Sequence, residues 1–361
     1  MSRINRVLIL GALLLACSAM AAQAFTEAPS SWLGRLNTLG GGDMFNANYW
    51  ADSEEVTYYP GSLTNYSNIA TISFSPGAPG ATGFTLAKAE ETFGTYYLGL
   101  HMSPNIGGGG QEWNNTTLGY GYSLEAMNVG VLWTRQGVSD TTGGTEVSES
   151  WNNFALGVDY ELNEDTNIDA AFQMRSGSTE GVLATDPAYV DATGFSFLAR
   201  AFYAWREDVT VVPVFNFASM EAPTSDTKMT TMAVGLGFAY TVNESNDLVM
   251  GLNYQNNKTE PTGGTDVTTN TMPGFYIGTQ HEFTDWLELR AAATKSWNKT
   301  EMGAGTEMTA YPFGFALGAG VAIGDWQVDM GLNTGWLYNV GYWFHGSPGR
   351  SEERRVGKEC R

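Results

Sequence analysis

From Phe154 to Leu162 the chain alternates strictly. Phe154, Leu156, Val158, Tyr160 and Leu162 share one face, while Ala155, Gly157, Asp159 and Glu161 share the other. That period of two predicts a β-strand with a single apolar face. Met232, Val234, Leu236, Phe238, Tyr240 and Val242 repeat the pattern opposite Ala233, Gly235, Gly237, Ala239 and Thr241, so here the second face is small rather than charged. A third strand is predicted from Tyr311 to Ile323, its apolar residues opposite Gly314, Ala316, Gly318 and Gly320. Such runs exceed the roughly five to six residues usual in soluble sheets. They match the roughly 9 to 11 residues of a tilted membrane strand.

The connections add a second signal. Short turns are predicted at Leu124-Glu125-Ala126, Asn163-Glu164-Asp165, Arg206-Glu207-Asp208, Glu244-Ser245-Asn246, Thr284-Asp285 and Gly324-Asp325. Long polar loops are predicted over residues 136–150, 177–193 and 256–270. Short turns at one end and long loops at the other predict an all-β fold: a transmembrane, antiparallel, up-and-down β-barrel with periplasmic turns and extracellular loops. Pairs around the six turns give about twelve strands, and three more fit at Ser67 to Phe74, Thr82 to Lys88 and Gly94 to Met102. The expected total is an even-stranded barrel of about 14 to 16 strands. Residues 67–344 form this barrel in the reading, with part of a closing strand at Val340 to Phe344. Aromatic placement agrees: Tyr203, Trp205, Phe283, Trp286 and Trp326 cluster at the turns, and Trp133, Trp297 and Trp336 near the other strand ends. They are expected to form two interfacial girdles, the alternative being the core of a soluble β-fold.

Both ends read differently from the body. Residues 1–24 carry Arg3 and Arg6, an apolar run from Val7 and small residues at Ala22 and Ala24, the pattern of a secretory signal peptide. A rival processing site is Leu14-Leu15-Ala16-Cys17, a lipoprotein-like box in which Leu15 fits poorly. Residues 350–361, RSEERRVGKECR, resemble the translation of a sequencing adapter, so the natural C-terminal strand is expected to be truncated. Residues 345–349 receive no assignment.

With 38 acidic and 18 basic residues the net charge is -20, which excludes nucleic acid as the main partner. The two cysteines lie in those ends, so the body offers neither a disulfide framework nor a thiolate metal site. His101, His281 and His345 are isolated and lack ligand spacing, so no metal or other cofactor is expected. Nothing pairs a nucleophile with a base and an oxyanion donor, so no enzyme is expected either.

Residues 25–66 carry a resemblance. Leu39-Gly40-Gly41-Gly42, Asp52-Ser53-Glu54-Glu55-Val56, then Tyr59-Pro60-Gly61 and Leu63 resemble the opening of the long-chain fatty-acid outer-membrane transporter family. Tyr59-Pro60-Gly61 stands where that family has Asn-Pro-Ala, and the likeness covers about a tenth of the chain. The resemblance implies hydrophobic-ligand transport and an N-terminal segment tucked into the barrel as a small hatch. The residues alone also fit a plain lead-in to the barrel.

Function is expected on the polar strand faces. Asp159, Glu161, Asp169, Gln173, Arg175, Arg200, Asn253, Glu288, Arg290, Gln327, Asp329 and Asn333 lie opposite apolar faces, so in a barrel they line the lumen. Intramembrane charges of this kind need water or a partner. They set ion preference in an open pore, or pair with one another to close it. The leading expectation is an outer-membrane channel or transporter for small or hydrophobic solutes. The alternative is a structural or adhesive barrel acting through acidic external loops. Expected partners are outer-membrane lipid, lipopolysaccharide and the barrel-assembly machinery.

Overall fold

The structure, a computed structural model, describes residues 39, 44–66, 69–75, 81–90, 93–103, 111–140, 147–180, 190–222, 227–261, 264–303, 305–323 and 326–332. Within them sixteen strands form one sheet. In chain order they are β1 (Ile69–Ser75), β2 (Ala81–Glu90), β3 (Gly94–Ser103), β4 (Gln111–Leu124), β5 (Met127–Asp140), β6 (Val147–Asn163), β7 (Thr166–Glu180) and β8 (Val190–Arg206). The second half comprises β9 (Val209–Ala222), β10 (Thr227–Asn243), β11 (Asn246–Glu260), β12 (Val267–Thr284), β13 (Leu287–Met302), β14 (Thr306–Ala310), β15 (Phe313–Ile323) and β16 (Trp326–Leu332). Each strand pairs antiparallel with its sequence neighbour, except that β14 and β15 both pair with β13 and share one position in the wall. The strand predicted from Tyr311 to Ile323 begins at Phe313, because Pro312 has no N–H to give the ladder. Its carbonyl instead accepts from Ser296 N at 3.2 Å.

The wall therefore has fifteen positions among the described residues, and β1 and β16 do not pair with each other. In an up-and-down sheet the first and fifteenth positions run the same way, so antiparallel closure requires an even count. The predicted closing segment at Val340 to Phe344, and Trp336 and Asn333 with it, lie outside the described residues. So do the predicted signal segment 1–24 and the adapter-like residues 350–361.

All six predicted turns separate consecutive strands. Among the described residues, the polar stretches predicted as loops are largely strand. Gln136 pairs with Trp151 and Asp140 with Val147; Ser178 pairs with Asp191; Asn257 pairs with Thr269. Backbone pairing does not need apolar side chains, and hydroxyls replace them here, with Ser150–Ser178 at 3.1 Å and Thr269–Thr300 at 3.0 Å. The hairpins thus extend past the apolar zone.

The sheet is inside-out relative to a soluble protein. On β11, Val249 is 1% exposed and Met250 46%, and Leu252 is 47% exposed beside buried Gly251. The predicted apolar faces point outward, while small and polar faces are covered. Tyr203, Trp205, Phe283 and Trp286 are exposed at the turn end, and Trp133 and Trp297 towards the loop end. They form girdles rather than a core. Leu252→Arg is expected to lower barrel stability by about 2–4 kcal/mol in bilayers, the cost of a charge near the middle of the lipid-facing band. Guanidinium unfolding from liposomes measures it, with Glu244→Arg at a turn as the near-neutral comparison.

Candidate functional site: the N-terminal segment inside the wall

Residues 44–64 lie against the inward face of the sheet. A short helix α1 (Met44–Ala47) is followed by two 3-10 turns, Ser53–Thr57 and Pro60–Thr64. Asp52 precedes the first of these, and the Glu55 carboxylate three residues on accepts the Asp52 backbone N–H at 3.0 Å, half of a capping box. Pro60 begins the second, where its fixed φ suits the first helical position.

This segment touches distant parts of the sheet at once. Gly61 reaches β6, and Tyr49 reaches β10 and β11, donating to Leu252 O at 3.1 Å. The Trp50 indole N–H donates to the Tyr276 hydroxyl on β12 at 2.6 Å, and that hydroxyl donates to Leu39 O. Strands β6 and β12 stand six positions apart, roughly 29 Å on a flat sheet at about 4.8 Å per strand. One segment of some twenty residues meets both because the sheet is wrapped around it.

The small face predicted for the wall is what makes the space. A Cβ on Gly235, Gly237 or Gly251 would stand 2.2, 2.5 or 2.4 Å from the Tyr49 ring or its hydroxyl, so these glycines form a groove for that side chain. Phe45 and Tyr49 pack there with Val212, Val214, Ala233, Val249 and Ala292. Gly130 and Gly157 form a second socket, in which a Cβ would lie 1.9 Å from Pro60 O and 2.6 Å from Gly61 N respectively.

Polar wall residues complete the attachment. Arg200 on β8 donates through Nε to Asp169 Oδ2 at 2.7 Å and through Nη1 to Trp50 O at 2.7 Å. Its Nη1 and Nη2 also hold the two oxygens of Glu55. The guanidinium lies 4.3 Å from the Tyr59 ring centroid, a cation–π contact. Asn253 donates to Asn46 Oδ1 at 2.9 Å, and Asp159 accepts from Asn65. Gln173 reaches Thr57 O and Tyr58 O at 3.4 Å. Burial without full compensation pushes the Glu55 carboxyl up to about 7, and burial also raises the Tyr59 and Tyr66 phenols.

The other sequence-predicted residues divide. Arg175 lies over the Trp151 ring at 4.0 Å, away from the Glu55 cluster. Arg290 is fully buried between Glu288 and Asp329, near the β16 edge. Glu161 is exposed at the turn-end mouth rather than enclosed in the lumen, because β6 has by then reached the hairpin. There it joins Glu125, Asp159, Glu164 and Asp165 around a cavity of about 470 Å³ that, among the described residues, is lined by no lysine or arginine. Asp329 lies on an edge strand and is exposed, and the Gln327 side chain lies outside the described residues. His281 Nδ1 lies 3.3 Å from Ser245 O near a turn. Among the described residues no three His, Cys, Asp or Glu side chains are placed to hold a metal ion.

Sequence reasoning missed Glu55, Tyr49, Trp50 and Asn46 as contact residues. The Asp52-x-x-Glu55 capping pattern was the only local sign that Glu55 sits in an ordered turn.

No family model and no curated protein matches the chain. Among solved structures, CdiB from Escherichia coli aligns with 73% of this chain and 58% of its own at 11% identity, with a TM-score of 0.50. The fold is that of a bacterial outer-membrane β-barrel. Two further similar structures are the CymD monoaromatic hydrocarbon channel and the Pseudomonas putida toluene transporter TodX. CymD is 10% identical over 80% of this chain and 98% of its own, at a TM-score of 0.46. TodX is 11% identical over 76% of this chain and 86% of its own, at a TM-score of 0.41.

Proposed function

We propose that this outer-membrane barrel is a channel or transporter for small or hydrophobic solutes, and that residues 44–64 are its removable hatch. The observation that carries the reading is how the lumen is filled. A barrel with a purely structural role can close its lumen with large wall side chains. Here the wall contributes Gly130, Gly157, Gly235, Gly237 and Gly251, and a separate segment supplies the bulk. That segment is held by hydrogen bonds, one ionic cluster and the apolar packing of Phe45 and Tyr49, all of them noncovalent contacts. The acidic mouth beneath it is wide enough for water and enriches cations. Catalysis is not part of this reading. The surrounding partners are outer-membrane lipid against the exposed belt and lipopolysaccharide at the extended hairpins, after delivery by the assembly machinery.

Planar-bilayer recording tests the reading. The refolded full chain is expected to be silent or to open briefly, and a variant lacking residues 44–64 to give stable conductance steps. Silence from the deletion variant, with heat-modifiable migration retained as proof of a folded barrel, would overturn it.

A further inference from the structure

Among the described residues, the cluster that ties the hatch to the wall is unbalanced in charge. Glu55 from the hatch and Asp169 from β7 share the single guanidinium of Arg200 from β8. All three are almost fully buried. Asp159 on β6 stands directly across from Asp169 in the ladder and is itself buried, with Asn65 as its neutral partner. The second Asp169 oxygen is buried with no hydrogen bond. The remaining titratable groups facing Glu55 among the described residues are Asp52 and Tyr59 on the same segment and Tyr66 at its end, and none of them brings a positive charge. With every carboxyl ionised, these described groups hold at least one more negative charge than Arg200 neutralises, and both carboxylates bonded to Arg200 are almost fully buried. Glu55 is the one carboxyl bonded to Arg200 that leaves when the hatch leaves.

We propose that Glu55 makes hatch docking proton-dependent: a proton on Glu55 balances the buried cluster and seats the hatch, and its loss loosens the hatch. The inference rests on the reading of residues 44–64 as a hatch and adds its regulation. Nothing covalent occurs; the proton goes to solvent as the segment leaves, and Glu55 is rehydrated as a carboxylate.

The sign follows from linkage. Docking raises the Glu55 pKa from the usual 4.5 to about 7. Docking is therefore strongest below about 4.5. It weakens as pH climbs through the interval, by up to about tenfold in the docked-to-undocked ratio per pH unit, and levels off above about 7.

A nitroxide on Ala51→Cys, an exposed position on the same segment as Glu55, reports the hatch directly once Cys17→Ser and Cys360→Ser remove the two native thiols. The reading is the urea concentration that frees half of the label while the barrel stays folded. In the background with the native Glu55 this midpoint is expected to fall from pH 4.5 to 7 and then to hold steady. Glu55→Gln, an isosteric stand-in for the protonated acid, is expected to flatten the profile. Asp169→Asn removes the competing charge and is expected to move the levelling-off to lower pH. A midpoint that does not change with pH in the native-Glu55 background, or a Glu55→Gln profile that keeps the same slope, would overturn the proposal. Conductance recorded on the same samples separates the two readings. Proton-dependent release with no current at any pH leaves the lock standing and sinks the channel; current with proton-independent release does the reverse.

Discussion

Arg200→Met is expected to unseat the hatch while the barrel stays folded. The substitution keeps length and apolar stem but removes every donor, leaving Glu55 and Asp169 buried without a cation. Breaking a buried ion pair by deleting one partner costs about 3–5 kcal/mol, because the remaining charge is stranded rather than because the pair itself was worth that much. The Arg200 bond to Trp50 O is lost as well, at about 1 kcal/mol. Hydrogen exchange over residues 44–64 measures the outcome, and protection there is expected to fall by two orders of magnitude or more while β9–β12 stay protected. Replacing Arg200, Glu55 and Asp169 together by apolar residues of similar size is expected to restore much of that protection. Unchanged protection in the single variant would mean that the aromatic groove, not the ionic cluster, holds the segment.

Gly130→Val attacks the same docking sterically. A Cβ at this position falls 1.9 Å from Pro60 O and 2.4 Å from Pro60 C, which are backbone atoms with no rotamer to escape into. The Pro60–Thr64 turn must lift off the wall. The lumen-facing position leaves the ladder pairing of Gly130 with Gly121 and Gly157 in place, so the barrel is expected to form. Stable conductance steps and protease sensitivity between residues 44 and 64 are the expected readouts. Gly137→Ala is the comparison: its new Cβ meets the tip of the exposed Asn114 side chain at 2.9 Å, which can rotate away, and no opening is expected. A closed, protected Gly130→Val protein would show that the turn can shift without leaving, and would count against a removable hatch.

The wall is legible in the primary structure. A period of two carries both the strand and its two faces, and because lipid rather than protein covers the apolar face, each strand announces its orientation without reference to any partner. Phe154, Leu156, Val234 and Leu236 point outward as the alternation requires. Short turns are equally local, since Glu164-Asp165 or Glu207-Asp208 needs only its flanking strands. The loop boundaries were not legible, because polar residues such as Asn257 and Thr269 pair through backbone groups that composition does not report.

What the inward faces do emerges only when the barrel is assembled. Gly235 and Gly251 read equally well as open pore or as packing space until Tyr49 is seen between them. Asp169 and Arg200 are cross-strand partners, so their pairing follows from register alone. Glu55 reaches the same guanidinium from 145 residues away, a separation no local pattern encodes. Wrapping the sheet brings that third charge onto a guanidinium already paired with Asp169. The excess is a property of the folded lumen and of none of its segments.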